Sequence, residues 1–144
     1  MPEASDYIAP NAQTSLDLAQ PQSTSPFVLG LRAAAKTHSV AVHVGIHHAT
    51  EVNQAPVSNS ESSSPIRKML NRVLYITPDG NIADGATYDK LHVFDYGALK
   101  ESATVQPGSG LTAPFDSPVG RIGSLICFDL RFPETAIALA QPGA

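Results

Sequence analysis

The sequence predicts an α/β protein, and three stretches carry that expectation. Ser25-Pro26-Phe27 has the capping serine and first-turn proline of a helix start, and the helix leads into an alternating apolar strand over residues 40–48. Residues 72–77 form a second strand, closed by the turn formers Pro78-Asp79-Gly80-Asn81 and answered by a partner strand that reaches Asp95. Residues 119–127 form a third, which breaks at Asp129 before Pro133-Glu134 opens another helix.

Composition narrows the function. Hydrophobic residues at 42% and charged residues at 15% describe a globular chain, and 144 residues suffice for one ordinary domain. A net charge of −4 provides no electrostatic footprint for nucleic acid or an anionic membrane. No apolar run approaches the roughly 18 residues of a membrane span. A single cysteine excludes an internal disulfide framework and suits a reducing compartment, so the expected address is cytoplasmic, with mitochondria as the alternative.

Taken in order, the chain opens on Met1-Pro2-Glu3, which by itself reads as a frayed terminus. In the first helix Phe27, Leu31, Ala34 and Ala35 share an apolar face, while Lys36 and His38 suit its negative C-terminal end. The strand that follows puts Val40, Val42, Val44 and Ile46 on one face and His43, Gly45 and His47 on the other. His43 and His47 are then roughly 13 Å apart, too far to supply two nitrogens at about 2 Å from one zinc, so no metal site is expected. Residues 53–65, with five serines and two prolines, read as a low-complexity surface insertion.

Lys90 lies mid-strand in Tyr88-Asp89-Lys90-Leu91-His92-Val93-Phe94-Asp95, where pattern alone favours a solvated face. Glu101 precedes a Pro/Gly-rich loop over residues 107–118. Cys127 sits where strand turns into helix, a corner at which nucleophiles are presented to backbone N–H groups; the bland alternative is a small buried hydrophobe.

Cys-Phe-Asp-Leu-Arg-Phe-Pro-Glu, residues 127–134, resembles the nucleophile motif of the nitrilase superfamily, the carbon–nitrogen hydrolases. Pro2-Glu3 is similar to that family's segment bearing a general base, and residues 88–95 to its lysine motif, in the family's order. Glu101-Ser102 followed by Pro107-Gly108-Ser109 resembles its loop bearing a second active-site glutamate. The resemblance implies Glu3, Lys90 and Cys127 as catalytic residues, the Phe128 backbone N–H as an oxyanion donor, and Glu101 as a group that positions substrate or Lys90. Arg131 and Glu134 are expected to fix the corner by ion pairing. It further implies a four-layer α-β-β-α sandwich of which residues 1–144 are a partial domain truncated at both ends, with little to hold Glu3 in place. No metal or organic cofactor is implied; a small-molecule amide is the expected partner, with homo-oligomers in the full-length protein. Within the superfamily the motifs look most like the Nit branch, the deaminated-glutathione amidases above all, with an ω-amidase of 2-oxo-acid amides as runner-up. A non-catalytic truncated product or interaction module is the alternative of a different class.

The chemistry explains why such groups belong together. A free thiol of pKa near 8.5 is only a few per cent thiolate at neutral pH. An ammonium about 4 Å away is worth roughly 4 kcal/mol at an effective dielectric near 20, but burial and a nearby carboxylate oppose it by a similar amount. A lysine alone therefore does not secure a thiolate, and a carboxylate base is needed to take the proton as sulfur attacks.

Overall fold

The computed structural model describes residues 3–52 and 65–141. Helix α1 (Ala12–Leu18), capped by the Asn11 side chain, precedes helix α2 (Pro26–His38), capped by Ser25. Strands β1 (Val42–Val52) and β2 (Ile66–Ile76) pair antiparallel along their whole length, with Val44 opposite Leu74 and His47 opposite Asn71. Strand β3 (Tyr88–Asp89) joins the far side of β2. Two short hairpins follow, β4 (Asp95–Tyr96) with β5 (Leu99–Lys100) and β6 (Phe115–Ser117) with β7 (Gly120–Ile122). A 3-10 turn over Cys127–Arg131 leads into helix α3 (Pro133–Ala140).

The period-2 geometry of β1 and β2 divides the molecule into two sides. Val44, Ile46, Leu74 and Ile76 point to one face, where they bury against Val28 and Ala35 of α2. The other face carries Met69, Asn71, Val73 and Tyr75, all buried, and is covered by Ala19, Val105, Tyr88 and Ile126. Glu3 and Lys90 are gathered on this second face beside Asn71.

Several expectations change. Val28, fully buried, anchors α2 in place of Ala34, which is exposed: the contact face runs Val28, Leu31, Ala35 at helical spacing. Val40 lies before β1 and is exposed, whereas the strand continues past His48 to Val52. The partner strand expected to reach Asp95 stops at Asp89, because Gly108 N–H bonds Lys90 O (2.8 Å) and bends the chain away from the β2 ladder. Gly108 lies so close to Asp89 that a Cβ there would meet its carbonyl oxygen at 2.2 Å, which explains a glycine in that loop. The loop also contains β6, and the strand into Cys127 is paired only as far as Ile122. Residues 123–126 have no ladder partner among the described residues, although Ile126 keeps extended dihedrals. The insertion expected over residues 53–65 lies outside the described residues apart from Pro65.

Candidate active site

The corner at Cys127 is built by Asp129. This carboxylate is completely buried and accepts from Tyr88 OH (2.6 Å), Ile126 N–H (3.0 Å) and His92 N–H (2.9 Å), with His92 Nδ1 also at 2.9 Å. Burial raises its pKa, but these bonds outweigh burial and hold the carboxyl below its ordinary value. One side chain thereby ties the residue before Cys127 to the segment after Lys90. Cys127, held between, adopts φ +45°, a left-handed conformation that a residue with a Cβ rarely takes. The result is an exposed thiol at the start of the 3-10 turn. The first bond of that turn runs from Asp129 N–H to Ile126 O (3.0 Å) and leaves Phe128 N–H outside its ladder.

Three charged groups meet at this thiol. Lys90 Nζ, 3% exposed, donates to Glu3 Oε1 (3.1 Å) and to Glu101 Oε1 and Oε2 (2.9 and 3.0 Å). The solvated-face reading of Lys90 is thus overturned: Tyr88 and Lys90 alternate inward together from β3. Burial opposes the charge on Lys90, yet the bonds from Glu101 and the field of both carboxylates win, and its pKa lies above the ordinary value. For Glu3 burial works upward, and Lys90 together with the Cys127 hydrogen bond pulls the pKa below normal. Cys127 is pushed up, first by burial and then by the Glu3 hydrogen bond and charge, with Lys90 opposing. With Cys127 above its ordinary value and Glu3 below its own, the pair suits base-assisted attack better than a standing thiolate.

Glu3 is held far better than its position near the start of the chain suggests. Ser5 N–H bonds Gly45 O (2.8 Å), and Asp6 accepts from His47 N–H and pairs with His47 Nδ1, each at 3.0 Å. Tyr7 stacks on His47 and donates to Ser15 O (2.6 Å). The histidines therefore have three separate tasks: His43 bonds Ser124 (3.1 Å), His47 clamps the base segment, and His48 accepts from Gln22 N–H (3.0 Å).

The charged cluster opens into a cleft of about 860 Å³ lined by Phe94, Leu99, Lys100, Thr104, Phe128 and Arg131. Phe94 and Phe128 meet edge to face at 5.0 Å, and Phe128 meets Phe132 likewise at 5.4 Å. Arg131 and Glu134, expected to fix the corner by ion pairing, form no ion pair among the described residues. Both side chains are exposed, Arg131 turns into the cleft, Glu134 occupies the first turn of α3, and the anchoring falls to Asp129. Asn71, whose Nδ2 donates to Glu3 Oε1, had no motif to mark it; its one signal is an amide in the alternating row Met69, Asn71, Val73, Tyr75 of β2.

Comparison with known proteins agrees with this geometry. The carbon–nitrogen hydrolase family matches residues 1–144. The chain belongs to that family. Curated relatives include "Probable hydrolase nit2" of Schizosaccharomyces pombe, 37% identical across 99% of this chain and 49% of the relative. Deaminated glutathione amidase of Homo sapiens is 31% identical across 100% of this chain and 42% of that protein. Among solved structures the Caenorhabditis elegans NitFhit protein matches with a TM-score of 0.76 at 32% identity, covering 100% of this chain and 33% of that one. A carbon–nitrogen hydrolase from Helicobacter pylori shares the fold alone, with a TM-score of 0.73 at 21% identity over 99% of this chain and 44% of its own. The chain thus spans about half or less of the length of these relatives, and its architecture is a partial nitrilase-type α/β sandwich.

The corner is open to a direct test. Asp129→Ala strands the Tyr88 hydroxyl and two backbone N–H groups, and should cost about 3 kcal/mol or more in urea unfolding. Tyr88→Phe, which removes one donor to Asp129 and the acceptor of Leu91 N–H (3.1 Å), should cost less, about 1–2 kcal/mol.

Proposed function

We propose that the protein carrying this chain is an amidase that cleaves a small non-peptide amide through a cysteine thioester. The observation that carries this reading is the Lys90 ammonium, bonded to Glu3 at 3.1 Å and to Glu101 at 2.9 Å in the cleft that Cys127 also lines. Cys127 Sγ attacks the amide carbonyl carbon while its proton passes to Glu3. Lys90 and the Phe128 N–H balance the charge that develops on the carbonyl oxygen. Collapse breaks the C–N bond as Glu3 returns the proton to the departing ammonia. Water then attacks the thioester, gives a proton to Glu3, and the C–S bond breaks to release the acid and restore the thiol. Glu101 keeps Lys90 charged and aimed, and no cofactor enters any step.

The substrate class follows from the cleft. Lys100 and Arg131 line it, and neither forms an ion pair among the described residues. Two cations near the reacting centre suit an acyl chain ending in a carboxylate, and deaminated glutathione is the substrate we favour, with 2-oxo-acid ω-amides second. Self-association of the whole protein and a cytoplasmic or mitochondrial address belong to the same proposal, which invokes neither nucleic acid nor membrane.

Coupled ammonia assays on the whole protein with deaminated glutathione, 2-oxoglutaramate, an uncharged amide of similar length and a nitrile test it. Turnover should favour the carboxylate-bearing amides, and Arg131→Met should raise their KM about tenfold with little change for the uncharged amide. Activity on nitriles alone would remove the amidase assignment, and no turnover on any substrate would favour a non-catalytic product.

A further inference from the structure

Met69, Asn71, Val73 and Tyr75 form one buried row on β2, and Asn71 is the only amide in it, 4% exposed. Its Nδ2 donates to Glu3 Oε1, while its backbone carbonyl accepts Lys90 N–H (2.8 Å). The other half of the amide is spent on nothing: Oδ1 is buried with no partner among the described residues. An apolar side chain would suit the row better, since a buried polar atom without a partner is destabilising. The amide is therefore explained by Glu3 rather than by packing.

We propose that Asn71 is a positioning residue that aims and keeps ionised the Glu3 base, setting base and lysine in register from a single place on β2. This rests on the reading of Glu3 as the general base. The segment carrying Glu3 comes from a different part of the chain, 68 residues away, and its clamps at Ser5 and Asp6 act on backbone and on neighbours. Asn71 instead acts on the carboxylate itself. Around that carboxylate stand Lys90 beyond β3, Cys127 at the corner and Glu101 across Lys90, with the Asp6–His47 pair flanking the segment. Asn71 donates to it without carrying a charge, so its removal raises the proton affinity of Glu3 without deleting a charge.

The experiment uses the whole protein with Asn71→Leu and Asn71→Ala, the latter guarding against overpacking by leucine. In each, the pH profile of kcat/KM and the pH profile of Cys127 alkylation by iodoacetamide are recorded alongside thermal unfolding. The acid limb of both profiles should move up by about half a pH unit or more, and kcat/KM at neutral pH should fall about tenfold, with KM nearly unchanged. Asn71→Leu should unfold at the same temperature as the parent or higher. An acid limb that stays in place in a folded variant overturns the proposal and returns Asn71 to a packing role. Alkylation needs no substrate, so an absence of amide turnover in the parent would sink the amidase reading while this test still reads out.

Discussion

Cys127→Ala should lower kcat by at least about 10⁴-fold in the whole protein while leaving the fold intact, because the nucleophile and its base act as one unit. Cys127→Ser should be almost as inactive. A hydroxyl is far less acidic than a thiol, and Glu3, with its pKa below the ordinary carboxylate value, is a weak base for it. The thiol is exposed and contributes to none of the buried clusters, so neither change removes core packing. The backbone adds a second, separable expectation. At φ +45° a Cβ is costly, so Cys127→Gly should be as inactive as alanine yet more stable by about 1 kcal/mol. Ammonia release and urea midpoints measured on the three variants check both parts. Residual turnover near the parent level in Cys127→Ala would exclude a thioester route.

The second large effect belongs to Lys90. Lys90→Ala removes the cation held between Glu3 and Glu101 and leaves two carboxylates facing each other in a largely buried place. Turnover should fall at least about a hundredfold, as for other lost oxyanion donors, and stability at pH 7 by about 3 kcal/mol. The pH dependence has a definite sign. Glu3 is depressed by its partner, so the stability it contributes is present above the ordinary carboxylate pKa and disappears as pH falls through the folded value. Lys90 is raised, so its contribution is complete below the ordinary lysine pKa and is lost only as pH rises through the higher folded one. The parent loses the ion pairs in acid, whereas the variant is relieved there when its carboxylates protonate. The stability gap should therefore narrow from pH 7 to pH 4 in urea titrations. A gap independent of pH would mean that Lys90 matters through packing of its stem rather than its charge.

The local chemistry of this chain was legible in its residues. Ser25-Pro26 starts α2, Pro78-Asp79-Gly80-Asn81 makes a turn closed by Thr77 N–H to Asn81 O (2.8 Å), and Pro133-Glu134 opens α3. These signals act within a few residues, where dihedral limits and capping bonds depend on neighbours along the chain. The nucleophile corner was legible for the same reason, with Cys127 falling at the turn before α3. Helix α1 escaped notice because it is only seven residues long and has no fully buried residue to give it a pattern.

By itself the sequence determined the α/β class and the α2–β1 and β2–turn units, and its resemblance to a known family pointed to Glu3, Lys90 and Cys127 as the candidate site. Only the tertiary structure could decide which of them meet. Glu3 and Lys90 are 87 residues apart, and Tyr88 and Asp129 are 41 apart, yet each pair is hydrogen-bonded. Whether Lys90 faced water or a carboxylate depended on which side of β2 carries the base segment, and strand alternation by itself names two faces without saying what covers either. Arg131 and Glu134 were expected to fix the corner by ion pairing, but the corner is held by buried Asp129 and its donors, and an exposed ion pair would add only about 1 kcal/mol or less. Asn71 lay outside the strand expected over residues 72–77, and only the fold set a carboxylate against it.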